Sequence, residues 1–184
     1  RKRLWRIELR PGADVNLGDK DGRTPLFYAV WTGNEAIVQT LVHEGARVDI
    51  KDVVGGTPAE YAVSNGYQEV AKVLVQAGGS IHADSNDGER LLLSAVQKGQ
   101  QQVVKLLLEG GKTDVNAKDK NGSTSLMWDV DSKYRAIVKL LLESNADVNI
   151  GDKDGWTPLL QALEYKDSAL VQLLLENGGD INIP

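Results

Sequence analysis

Apolar residues in this chain fall into pairs of short clusters at helical spacing, and each pair is followed by a polar, glycine-rich break. The last unit shows the pattern most clearly. Leu159, Leu160, Ala162 and Leu163 form one apolar stretch, the polar segment Tyr165 to Ser168 ends it, and Ala169 to Glu176 carries a second. Such spacing predicts two short helices joined by a turn. Thr157 is expected to cap the first, with Pro158 at the first helical position, where its missing N–H costs nothing. Asn177, Gly178 and Gly179 stop the second, because glycine reaches the left-handed conformation of a helix C-terminus without steric cost. An extended Asp-Ile-Asn segment closes the unit.

The unit recurs. Thr-Pro stands at Thr24-Pro25, Thr57-Pro58 and Thr157-Pro158, with Thr124-Ser125 as a weaker copy, at intervals of 33, 67 and 33 residues. Arg90-Leu91 is a degenerate copy that divides the long interval. Each marker follows a glycine-centred turn, at Asp21-Gly22, Gly55-Gly56, Asp87-Gly88, Asn121-Gly122 and Asp154-Gly155. Self-similarity at this period marks a solenoid, in which no unit can bury its own apolar face alone.

The unit resembles the ankyrin repeat over nearly the whole chain. The Asp-x-x-Gly-x-Thr-Pro-Leu opening stands at Asp19 to Leu26 and Asp152 to Leu159. The Val-x-x-Leu-Leu second helix stands at Val138 to Leu142 and Val171 to Leu175, and the Gly-Ala-Asp-Val-Asn close at Gly12 to Asn16. The resemblance implies an all-α solenoid of stacked helix-turn-helix units with short β-hairpin-like turn fingers. Its units would span 19–51, 52–84, 85–118, 119–151 and 152–184, after a partial leading unit at 1–18. There are departures. The histidine that the family usually places two residues after proline is replaced by Phe27, Glu60, Leu93, Met127 and Leu160, and the third unit has lost Thr-Pro and carries an extra residue near Lys112-Thr113. Asp129 takes a position where the other units have Ala29, Ala62, Ala95 and Ala162, so it is expected to pair with Lys133 or Arg135 or to twist its helix toward water.

Composition narrows the function only a little. The chain has no cysteine, which removes disulfides and thiol chemistry, and its net charge of −5 argues against nucleic acid as the main partner. No apolar run is long enough to span a membrane. The resemblance implies an intracellular protein, cytoplasmic or nuclear.

Chemistry is thin. His43 and His82 lie in different units, with no candidate nucleophile paired to either, and read as surface histidines. Asp19-Lys20-Asp21-Gly22 and Asp152-Lys153-Asp154-Gly155 faintly suggest the start of a calcium loop, but the closing glutamate is absent: its positions hold Val30 and Leu163. The better reading is that these aspartates close tight turns onto their own backbone. No catalytic residue, cofactor site or metal site is expected.

What the resemblance implies instead is a protein partner on the concave face, built from turn tips and first helices. Trp31 and Tyr165 fall at the ends of their first helices and Trp156 beside a turn, positions that packing does not reserve for aromatics. Tyr28, Tyr61 and Trp128 lie one helical turn earlier, where inter-repeat packing and partner binding are both open readings. Lys20, Arg23 and Lys153 at the tips are candidate contacts within a mixed charge pattern that also suits solubility. Val53-Val54 is either a small apolar contact or a finger stiffened by branched residues. The expected function is a non-catalytic interaction module. The alternative is a structural or regulatory repeat segment of a larger multidomain protein, such as a cytosolic receptor, packed against its own neighbouring domains. The last second helix is apolar from Ala169 to Leu175 except for Gln172, which predicts self-association, further repeats or another cover at that end.

Overall fold

A computed structural model describes residues 14–78, 87–111, 113–128 and 134–182, and everything below concerns those residues. Ten short helices follow one another in pairs: α1 (Pro25–Trp31) and α2 (Glu35–His43), α3 (Pro58–Ser64) and α4 (Gln68–Gln76), α5 (Asp87–Gln97) and α6 (Gln101–Glu109), α7 (Ser125–Trp128) and α8 (Arg135–Glu143), α9 (Pro158–Glu164) and α10 (Ser168–Glu176). First helices stack on first helices from α1 to α9, and second helices on second helices from α2 to α8. The core is one continuous column. Leu26, Val30 and Val38 bury it in the first pair, Val63 and Leu74 in the second, Leu92 and Leu107 in the third, Leu126 and Leu141 in the fourth, and Leu159 and Leu174 in the last.

Threonine and proline set most of the first-helix starts. Thr24, Thr57 and Thr157 adopt the extended backbone of an N-cap and hand over to a proline at the first helical position. Thr57 and Glu60 form a full capping box, in which the hydroxyl accepts from the Glu60 amide and the carboxylate accepts from the Thr57 amide. The Thr157 hydroxyl accepts from the Leu160 amide, whereas the buried hydroxyls of Thr24 and Thr124 have no partner.

The third pair corrects the sequence reading. Asp87-Gly88 is not a turn but the first turn of α5, which runs for 11 residues. With Arg90-Leu91 in place of Thr-Pro, nothing caps the chain or removes an amide at the usual start, so the helix extends backwards.

Successive pairs are locked by side chains that reach across the junction. Tyr67 lies on Gly33, where an added Cβ would come within 2.9 Å of the ring, and Tyr134 lies on Gly99 in the same way. Between them, Gln100 donates to the Val63 carbonyl at 2.9 Å. Asparagines of the extended closing segments add a second lock. The Asn16 amide donates to the Gly45 carbonyl and its oxygen accepts from the Arg47 amide. Asn149 makes the same pair of bonds to Gly178 and Asp180, and Asn116 accepts from the Asp147 amide. Asp129, Lys133, His82 and Lys112 lie outside the described residues; the Arg135 guanidinium pairs with Asp167, at 3.0 and 2.8 Å to its two oxygens.

Candidate functional site

The fingers begin with an aspartate, and its carboxylate organises each of them. Oδ1 of Asp19 accepts from the amides of Asp21 and Arg23, that of Asp52 from Val54 and Gly56, that of Asp119 from Asn121 and Ser123, and that of Asp152 from Asp154 and Trp156. The expectation that these aspartates close turns onto their own backbone is met. Each turn is also closed by a backbone bond, from the amide of Asp19, Asp52, Asp119 and Asp152 to the carbonyl four residues on. Neighbouring fingers are joined, Val53 N to Asp21 O at 3.0 Å and Lys153 N to Asn121 O at 3.1 Å. Among the described residues the fingers contain only one β-type pairing, an isolated antiparallel bridge between Lys118 and Thr124. Val53 and Val54 sit in a turn, not in a strand, and are well exposed.

The second oxygen of the aspartate explains the boundary aromatics. Nine residues after it, an aromatic on the first helix donates back: Tyr28 to Asp19 at 2.6 Å, Tyr61 to Asp52 at 2.7 Å, and the Trp128 indole to Asp119 at 3.2 Å. These rings therefore brace finger against helix whatever else they do. The last unit has Gln161 at this position, and its side-chain oxygen is buried without a partner.

Asp52 is the most developed of these centres. Its side chain is fully buried, yet Arg23 of the preceding unit stands 3.9 Å from Oδ2. Burial alone would push its carboxyl up, but the Tyr61 hydroxyl, the two amides and Arg23 together hold it below the ordinary carboxylate range. Asp19 is held low as well, chiefly by the Tyr28 hydroxyl and the Arg23 amide. The hydroxyls respond in the opposite sense, and both Tyr28 and Tyr61 are raised by their bond to a carboxylate.

Arg23 is thus not a free charge at a tip. Its guanidinium lies 4.9 Å from the Trp31 ring centroid, where the cation meets the negative face of the indole, and it also reaches Asp21 at 3.7 Å. Tyr28 also packs near Trp31, with centroids 6.0 Å apart and the rings tilted by 52°. Trp31 is nevertheless about half exposed, and it forms one wall of a groove.

That groove runs along the finger side of the second and third units. One concavity of 680 Å³ is lined by Trp31, Val54, Tyr61, Ser64, Leu93 and Gln97 among others. A second, of 950 Å³, shares Arg90, Leu93 and Gln97 and ends on Lys120 and Trp128. Arg90 pairs with Glu60 at 2.9 Å where the two meet. The structure therefore brings Trp31, Val54, Tyr61 and Trp128 into one surface. Trp156 and Tyr165 are exposed but line neither concavity, and Lys20, Val53 and Lys153 stand exposed on the tips.

Sequence reasoning missed Glu60, Arg90 and Leu93 as groove residues. A signal existed: Glu60 and Leu93 occupy the position that the family gives to histidine, and Arg90 occupies the threonine position. Among the described residues no group of three or more carboxylate or histidine side chains could hold a metal ion, and no helix is long and apolar enough to cross a membrane.

Comparison with known proteins agrees with the architecture. The profile described as ankyrin repeats (3 copies) matches residues 4–87, 60–152 and 92–184. No curated protein matches the chain closely. Among solved structures, the crystal structure of an ankyrin repeat domain from Acinetobacter baumannii AYE superimposes with a TM-score of 0.80 at 29% sequence identity, covering 91% of this chain and 88% of that one. With the helix pairs, the fingers and the family profile in agreement, this chain belongs to the ankyrin-repeat family.

Proposed function

We propose that this chain, a member of a family whose repeats are in general protein-interaction modules, is a non-catalytic module whose partner lies in the groove between Trp31 and Trp128, along the second and third units. The observation that carries this reading is the groove itself. Exposed aromatics stand at both of its ends, with Leu93 and Val54 between them and one ion pair, Arg90–Glu60, at the junction. Large aromatics with a polar rim are the composition that concentrates binding energy in protein interfaces. Trp156 and Tyr165 are secondary in this scheme, and Lys20 and Lys153 act on the rate and salt dependence of association.

The test compares partner capture by the intact array with capture by single variants, with melting temperature measured on each. Trp31→Ala should weaken binding by about 1–4 kcal/mol with little change in stability, and Tyr165→Ala by far less. Gln97→Arg, at an exposed position lining both concavities, should abolish capture. The reading is lost if Trp31→Ala, Trp128→Ala and Gln97→Arg all bind normally while remaining folded.

A further inference from the structure

The register of Trp31 faces the groove, since Ser64 and Gln97, one and two units further on, line the same concavity. Arg23 lines neither concavity, yet its guanidinium carbon lies 4.9 Å from the centre of the Trp31 ring. Among the five full units, only the first combines a cation at the residue before the threonine position with an aromatic eight residues later. The others have Gly56 with Ser64, Glu89 with Gln97, Ser123 with Asp131, and Trp156 with Glu164. Arg23 in turn is anchored in the next unit. Its Nε lies 3.9 Å from Oδ2 of Asp52, a carboxylate with no exposed surface, which the amides of Val54 and Gly56 fix at Oδ1 and the Tyr61 hydroxyl fixes at Oδ2. The two fingers meet at the same place: Val53 N donates to Asp21 O at 3.0 Å, and a Cβ on Gly22 would come within 3.3 Å of the Asp52 backbone.

We propose that Arg23 is a positioning residue of the binding groove: it does not meet the partner but holds Trp31 in place as a wall, tying it to Asp52 across the junction of the first and second units. The role rests on the groove reading above and adds to it the group that sets the groove's shape. A guanidinium is flat, so it can stack on an aromatic face while its N–H groups address a carboxylate, which an ammonium on a flexible stem does less well. The face of an indole is electron-rich and draws the cation. With the Arg23 side chain only 26% exposed, that attraction is stronger than it would be in open water. A half-exposed tryptophan without such support samples several rotamers and must be ordered when a partner arrives. Held by Arg23, the indole is already placed, and the ordering cost is removed from binding. The support exists only where the two units are docked, because the anchoring carboxylate belongs to the second.

Fluorine NMR on the intact chain labelled with fluorotryptophan is the test, with the Trp31 signal identified by its loss in Trp31→Phe. It needs no partner. Arg23→Gln should narrow the Trp31 signal and raise its shift between light and heavy water toward that of a free indole. The other tryptophan signals should stay where they are, which a general loosening of the fold would not allow. Arg23→Lys, which keeps the charge without the flat guanidinium, should fall between. Asp52→Asn should move the Trp31 signal in the same direction although the change is made in the next unit, and should add nothing once Arg23 is glutamine. A Trp31 signal indifferent to Arg23→Gln overturns the proposal, and so does an Asp52→Asn effect that is as large in the Arg23→Gln background. In the capture assay set out for the groove, Arg23→Gln should weaken binding several-fold, and no further when Trp31 is already alanine. Equal losses in the two backgrounds would make Arg23 a direct contact and also overturn the proposal. Normal capture by Trp31→Ala would instead count against the groove reading, while the NMR signals still decide whether Arg23 holds the ring.

Discussion

The second and fifth units fold the same turn with different support. Asp52 and Asp152 each accept two amides from their own finger. Asp52 also accepts from Tyr61 and faces Arg23, and its unit begins α3 with a capping box. Asp152 has Gln161 in place of the tyrosine, and Thr157 makes a single 3.3 Å bond to the Leu160 amide. The difference teaches that turn geometry comes cheaply from one carboxylate, while rigidity comes from a second donor outside the turn. The well-supported finger is the one bordering the groove.

The largest expected effect comes from removing the supported carboxylate. Asp52→Ala would take the acceptor from the amides of Val54 and Gly56 and from the Tyr61 hydroxyl in a half-buried site, and should cost about 2–4 kcal/mol. Asp152→Ala, in a more exposed finger, should cost about 1 kcal/mol or less. Chemical denaturation of both variants checks the ranking, and equal losses would break the comparison.

Acid should find the same weak point. Asp52 is held below the ordinary carboxylate value in the folded chain, so its contribution to stability is complete above about pH 4, its unfolded value, and is lost as pH falls through the folded one. Asp167 acts in the same sense, held low mainly by the Leu170 amide and also by Arg135. Melting temperature should therefore fall below about pH 4, and Asp52→Asn should flatten that decline. A parallel decline in the variant would remove Asp52 from the explanation.

The caps offer a finer version of the contrast. Thr57→Ala removes the hydroxyl's bonds to the Glu60 amide and carboxylate, while the Thr57 amide keeps its bond to Glu60, and should cost about 1 kcal/mol, against about 0.5 kcal/mol for Thr157→Ala. The smallest effect runs the other way. Gln161→Tyr should supply the missing donor to Asp152 and raise stability by roughly 0.5–1 kcal/mol, the usual net worth of one added hydrogen bond. A shift in the tyrosine ultraviolet titration toward higher pH, the direction in which the Asp52 carboxylate moves Tyr61, would show that the bond has formed.

How much of this was legible follows from the range of each interaction. Turn aspartates, Thr-Pro caps and glycine stops act within four residues, and the period exposes them by repetition. The solenoid followed from the same marks. The bond from Tyr28 or Tyr61 to a carboxylate nine residues earlier was not legible, because an aromatic at a boundary position reads equally as packing or as binding. The backward extension of α5 was hidden by regarding Asp87-Gly88 as one more copy of a turn, when the missing Thr-Pro was the stronger signal. The groove was half seen: Trp31, Val54, Tyr61 and Trp128 drew attention by type, while Glu60 and Leu93 did not, although their register places them between those rings.

The asparagine bridges act as a ruler. In all three described cases, Asn16 to Arg47, Asn116 to Asp147 and Asn149 to Asp180, the side chain accepts from an amide 31 residues ahead. A single inserted residue inside such a span must break the bridge or be looped out, whereas deletion or duplication of one whole unit leaves every bridge its correct length. The array can thus change its reach by whole units, which predisposes its lineage to lengthen and shorten by tandem copying rather than by gradual drift in loop size.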